Sequence, residues 1–207
     1  MTGPDISDHG AALGPDERIR LLTLARLMRR AYTRRQALPP RWIEEGRRSH
    51  WLTGLDLVRY RNTVSGERVI AIKGVEAWDP RDLVAVVIQR RFGYRRSSLR
   101  LARKLLATTD SGASIIGHSA GGGLASWLGH ELGLPTVTFN SGRTRASLVN
   151  DGRRQTNVCI RGDGWGDPWR GFYGMPLPGR YVVLDKLPGS GNRHLMKAII
   201  AALANNA

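Results

Sequence analysis

An α/β chain is expected here, with a mostly parallel central sheet covered by helices on both faces. From about residue 68 onward, apolar runs of strand length alternate with amphipathic runs of helix length, as parallel strands joined by crossover helices require. One apolar run, ASIIG, leads through a glycine-bracketed turn directly into a helix-length stretch that Gly133 closes. The 207-residue chain is 41% hydrophobic, enough to bury the core of one domain and too much for global disorder.

Residues 1–15 are polar and carry Gly and Pro, a loose lead-in. PDERIRLLTLARLMRRAYTRR then reads as an amphipathic helix with Pro15 and Asp16 in its first turn. Leu21, Leu24, Met28 and Tyr32 form its apolar stripe, and Arg20, Arg26, Arg30 and Arg34 fall largely elsewhere. The prolines of ALPPRW stop it. LDLVRYRNTVSGERVIAIKG reads as a hairpin, with strands near 55–61 and 68–73 about a Ser65-Gly66 turn. DPRDLVAVVIQRRFG is a short helix or a covering segment. RRSSLRLARKLLATT is helical, with Leu99, Ala102, Leu105 and Leu106 on one face. There follow the strand ASIIG, the helix GGLASWLGHELG, the strands PTVTFNS, TNVCIRG and RYVVLDKL, and the terminal helix GNRHLMKAIIAALA. In domain terms, residues 1–54 form an N-terminal extension whose basic helix packs on a core domain of residues 55–207.

The stretch SIIGHSAGGGLA carries the chemistry. It is not a nucleotide-triphosphate loop, because Gly123 and Leu124 stand where lysine and a hydroxyl are needed. It is not a dinucleotide fingerprint, because Ser119 replaces the second glycine. Gly117-His118-Ser119-Ala120-Gly121 does match G-x-S-x-G, in the required strand–turn–helix context. The serine of such an elbow sits on a cramped turn that lifts its hydroxyl above the sheet. The residues two before and two after it crowd together and must lack a β-carbon. The following helix points its amides and positive dipole end at the site. Gly122 and Gly123 each cost about 1 kcal/mol relative to alanine within a helix, which implies close packing against a neighbouring strand.

A serine nucleophile needs a base, and the base needs an orienting group. In the α/β-hydrolase topology they follow in the order Ser, Asp/Glu, His. Only His130 and His194 lie after Ser119. His130 falls within the helix that the elbow starts and cannot fold back. His194, in the loop GSGNRHLM after the last strand, is the candidate base. His118 points away from the hydroxyl beside it and packs or hydrogen-bonds locally; His9 and His50, in the N-terminal part, are left unassigned. The candidate acid is Asp163, directly after a strand, with Asp167 as the alternative. Asp151 and Asp185 read as loop and strand-end residues. One oxyanion amide belongs to Ala120, the other to the turn within VIAIKGVEAW.

These residues, together with FGY, TFNSG and NVCIRGD in the same order, resemble the class 3 lipases, α/β-hydrolases that cleave lipid esters and include phospholipase relatives. The likeness spans roughly residues 55–200, and its specific part is the elbow. It implies a Ser119, His194, Asp163 triad and Val75 as the second oxyanion donor. The family pattern there is Arg-Gly followed by Thr or Ser; this chain has Lys73-Gly74-Val75. One side-chain donor is thereby lost, and an oxyanion donor is worth about 3 kcal/mol. Trp78, Leu83, Val86 and Val87 occupy the place of a lid (residues 77–92), and PWRGFYGMPLPG has side chains suited to acyl contact. Ordinary covering of the sheet explains both segments equally.

Lys and Arg number 32 against 17 Asp and Glu, a net charge of +15. Such an excess suits an anionic membrane surface or nucleic acid; with a triad in view, an anionic phospholipid substrate is favoured and nucleic acid is not. The function expected is lipid ester hydrolysis without metal or organic cofactor. A soluble esterase or thioesterase and a non-catalytic basic binder are the alternatives. No apolar run reaches the roughly 20 residues of a membrane span. The start MTGPDISDHG is no secretory leader, so the expected location is the cytoplasm or export without a cleaved signal, with peripheral membrane contact. By analogy, a small basic phospholipase of this kind resembles a secreted bacterial effector, whose partner would be an inhibitor or immunity protein. The single cysteine, Cys159, forms no internal disulfide and reads as a small buried strand residue.

Overall fold

The computed structural model describes residues 13–50, 55–74, 112–141, 147, 151–168 and 176–205. Among these residues seven strands form one sheet in chain order: β1 (Trp42–His50), β2 (Leu55–Asn62), β3 (Arg68–Ile72), β4 (Ala113–His118), β5 (Thr136–Phe139), β6 (Gln155–Ile160) and β7 (Arg180–Leu184). β1 and β2 are antiparallel, as are β2 and β3, and every pairing from β3 to β7 is parallel. Helices α1 (Pro15–Tyr32) and α3 (Met196–Ala204) cover one face, and α2 (Ala120–Leu132) covers the other. The expected α/β-hydrolase architecture, a mostly parallel sheet with helices on both faces, is the one observed.

Helix α1 starts with Pro at its first turn beside Asp16 and Glu17 and ends with Arg29 and Arg30, charges that suit the helix dipole at both ends. Leu21, Leu24, Leu27 and Met28 are buried against α3 and the sheet, while Arg20 and Arg26 are exposed. The helix ends at Tyr32, before the prolines are reached. On the far face, Leu57, Ile70, Ile72 and Ile115 pack against Leu124, Ala125, Trp127 and Leu128 of α2. The hairpin turn forms as its sequence requires. Gly66 takes φ 72°, and the Asn62 side chain accepts the N–H groups of Val64 and Ser65.

β1 was not expected from the sequence. WIEEGRRSH has little apolar alternation, and its glutamates are met by arginines within the strand and on β2 and β3. Arg47 lies 3.1 Å from Glu44, and Arg59 of β2 lies 3.2 Å from Glu45. A register shift between Glu44 and Gly46 disturbs the period further. Cys159 is buried in β6. Among the described residues no helix is long and apolar enough to cross a membrane.

Val75, the segment 77–92, the expected helix carrying Leu99, Ala102, Leu105 and Leu106, and residues 169–175 of the aromatic stretch lie outside the described residues, as does His9.

Candidate active site

The C-terminal ends of the parallel strands bring three distant segments together. β4 runs fully buried to His118, and the chain then turns sharply through Ser119 (φ 56°, ψ −130°) into α2. L-residues rarely adopt that conformation, and a few kcal/mol of strain is typical of it. Two glycines permit the turn. A β-carbon on Gly117 would lie 2.5 Å from the Gly121 carbonyl oxygen and 2.7 Å from the Ala125 β-carbon. One on Gly121 would lie 2.6 Å from the Lys73 carbonyl and also strike the Ile72 carbonyl of β3. Gly122 stands against Ser141, just past β5, the close packing its presence implied. Gly121→Ala is therefore expected to destabilise the fold by at least 2–3 kcal/mol, roughly the upper range for overpacking, since the atoms it meets are backbone. A denaturant midpoint unchanged from the wild type would contradict this.

His194 sits in the turn between β7 and α3. Its Nδ1 is 3.1 Å from Asp163 Oδ2 and 3.3 Å from Oδ1, and its Nε2 is 2.9 Å from Ser119 Oγ. The carboxylate accepts the Nδ1 proton, so Nε2 is left as the acceptor for the serine hydroxyl. Asp163 is 2% exposed and also accepts the N–H groups of Trp165 and Gly166. Burial pushes its carboxyl upward, but the hydrogen bond and charge of His194 and those two amides outweigh it and hold it below the ordinary carboxylate value. Asp167 is also buried, but its Oδ2 accepts the Gly162 N–H at 2.6 Å and so serves the turn after β6. His130 is exposed on α2.

Ala120 opens α2, so its N–H belongs to the first turn, where amides lack intrahelical acceptors. Lys73 and Gly74 close β3 beside the elbow. The Lys73 ammonium lies 3.6 Å from Asp56 and 5.7 Å from the centroid of the Tyr32 ring.

His118 is 5% exposed, and its ring is engaged at both nitrogens. Nδ1 lies 2.8 Å from Tyr32 Oη, and Nε2 donates to the His194 carbonyl at 2.8 Å. Burial, reinforced by the neighbouring His194, lowers its pKa to about 4, so the ring is neutral near pH 7. Asn140, at the end of β5 with φ 40°, donates Nδ2–H to the Arg193 carbonyl and accepts the Ile160 N–H. Trp165 (41% exposed) borders the site, its ring 6.1 Å from that of His194, and Leu195, which follows His194 in the chain, is 51% exposed. Sequence reasoning placed Tyr32 only in the apolar stripe of α1 and gave Asn140, Trp165 and Leu195 no part in the site. A tryptophan within the polar run GDGWGDP was the one available signal. Among the described residues no cluster of three His, Cys, Asp or Glu side chains could hold a metal ion.

The fold has counterparts among solved structures. The chain is similar to Lip2 lipase from Yarrowia lipolytica, with a TM-score of 0.56, 12% identity, and coverage of 84% of this chain and 80% of that one. It is similar to a triacylglycerol lipase from Penicillium expansum, with TM-score 0.54, 12% identity, and 82% and 79% covered. It is similar to a lipase from Rhizopus microsporus var. chinensis, with TM-score 0.52, 14% identity, and 71% and 68% covered. It shares the fold of these lipases. No protein-family model matches the chain, and no curated protein does.

Proposed function

We propose that this chain is a serine ester hydrolase acting on lipids, with Ser119 as nucleophile, His194 as base and Asp163 as the group that orients it. The observation that carries this reading is the unbroken hydrogen-bonded line from Ser119 through His194 to Asp163, mounted on a positive-φ elbow. Ser119 Oγ attacks the acyl carbonyl carbon as His194 Nε2 takes its proton. The oxyanion accepts the N–H groups of Ala120 and Val75. The imidazolium returns the proton to the departing alcohol oxygen, and the acyl-enzyme forms. Water then attacks with His194 again as base, which releases the fatty acid and restores the serine.

Three features favour lipid over a small soluble ester. The fold is that of lipases. Trp165, whose ring lies 6.1 Å from that of His194, and Leu195, the next residue in the chain after His194, are exposed apolar side chains. The net charge of +15, with Arg161 and Arg193 exposed on the flanking turns, would draw the mouth toward anionic phospholipid.

The test uses a fluorophosphonate probe, p-nitrophenyl esters of short and long chain, and phosphatidylcholine vesicles with and without phosphatidylglycerol. Mass spectrometry is expected to find the probe on Ser119. Long-chain esters should turn over faster than short ones, and anionic vesicles should be cleaved faster than neutral ones. That preference should fade as salt rises from about 0.05 to 0.5 M, where screening shortens to a few ångströms. An unlabelled Ser119 would rule the mechanism out, and turnover of short esters alone would assign a soluble esterase or thioesterase instead.

A further inference from the structure

We propose that Tyr32 and His118 are positioning residues that hold the oxyanion loop and the base-bearing turn in fixed relation to each other. The proposal rests on the hydrolase reading of Ser119 and His194. A serine hydrolase of this kind needs its oxyanion amides and its imidazole placed within a few tenths of an ångström of one transition state. One oxyanion amide, that of Val75, is expected just past Gly74 after β3, and the imidazole comes from the turn after β7, more than a hundred residues on in sequence. One polar line joins Gly74 to that turn. The Gly74 N–H donates to Tyr32 Oη at 2.7 Å. Tyr32 Oη and His118 Nδ1 are 2.8 Å apart, and His118 Nε2 and the His194 carbonyl oxygen are 2.8 Å apart.

With the His118 ring neutral, the direction of every proton in this line follows. A carbonyl oxygen only accepts, so His118 Nε2 carries the hydrogen and Nδ1 of the neutral ring is a lone pair. The tyrosine hydroxyl must then donate to Nδ1, which leaves its oxygen to accept from Gly74. A line with a single proton arrangement has one geometry. Gly74 immediately precedes Val75, and its backbone is pressed into place from two sides. A β-carbon there would lie 2.8 Å from Tyr32 Oη and 2.9 Å from the Ser119 β-carbon. At the other end the histidine turn is gripped at two successive carbonyls, Arg193 by Asn140 and His194 by His118. Tyr32 belongs to α1, so a helix far from the elbow in sequence sets the distance between the two halves of the site.

The test compares wild type, Ser119→Ala, Tyr32→Phe, His118→Gln and His118→Leu on one long-chain p-nitrophenyl ester, with melting temperature measured in parallel. Tyr32→Phe keeps the ring and removes only the hydroxyl. It is expected to lower kcat by about 10- to 100-fold, the loss that roughly 1 Å of misplacement causes, with KM within about threefold. His118→Gln retains a donor where Nε2 stood and should keep at least about tenfold more kcat than His118→Leu, even if Tyr32→Phe folds poorly. A lowered melting temperature with kcat unchanged in Tyr32→Phe, or equal losses in the two His118 variants, would overturn the positioning role alone. A wild type no faster than Ser119→Ala would overturn the hydrolase reading and this proposal with it.

Discussion

Ser119→Ala is expected to lower kcat on a long-chain ester by about a millionfold, leaving only the residual catalysis that binding and oxyanion donors supply without a nucleophile. The substitution removes one oxygen from a site whose other members are held independently. His194 keeps Asp163 on Nδ1, and its carbonyl stays bonded to His118. Alanine inherits the positive-φ backbone of the elbow and is no more strained there than serine. The melting temperature should therefore move little, and binding to anionic vesicles should be retained. Initial rates and vesicle sedimentation on the two proteins check both halves. Equal hydrolysis by both proteins would remove Ser119 from the chemistry. A variant that neither cleaves nor binds would point to misfolding, which the melting temperature reveals.

The second large effect concerns the acid. Asp163→Asn is expected to lower kcat by about 10⁴-fold. The asparagine oxygen can still accept the amides of Trp165 and Gly166, which now converge on Asp163 Oδ1, so the loop should keep its shape. Its NH₂ group, however, faces His194 Nδ1 and can only donate. That forces the imidazole proton onto Nε2, where it opposes the serine hydroxyl. Asp167→Asn serves as the comparison. Its oxygen can go on accepting the Gly162 N–H, and kcat should stay within about tenfold of wild type, as for a change that leaves the reacting groups in place. A larger loss at Asp167 than at Asp163 would reverse the two roles. The comparison is informative because both carboxylates are almost fully buried and only four residues apart.

Much of this geometry is written in local pattern. Gly117 and Gly121 mark the elbow because no other side chain fits where their hydrogens point, and such a demand is visible as sequence spacing. His194 and Asp163 follow from chain order and from their places just past strands. Asp163 and Asp167 were separable only in outline, since both follow β6 closely and the three-dimensional course of the turn decides which one faces the imidazole. Asn140 and Tyr32 carried no legible signal of their role. Each acts by hydrogen bonding to backbone or to a buried ring, and neither partner type leaves a spacing to read. Tyr32 fits the apolar stripe of α1 equally well, and only the position of its hydroxyl reveals its second task. β1 was hidden for another reason. Glu44 pairs with Arg47 of the same strand and Glu45 with arginines of β2 and β3, so a strand of the sheet reads as a run of charge.

The order of strands across the sheet is the order in which the chain is made. Each new strand can pair with one already present, so the sheet can extend step by step during synthesis, with little waiting for distant partners. The elbow is complete once β4 and α2 have emerged, but the imidazole that would activate it arrives only after β7. A nascent chain thus carries an unactivated serine while residues 120–193 are made, and on the proposed reading it gains hydrolytic power only when the histidine turn closes onto His118.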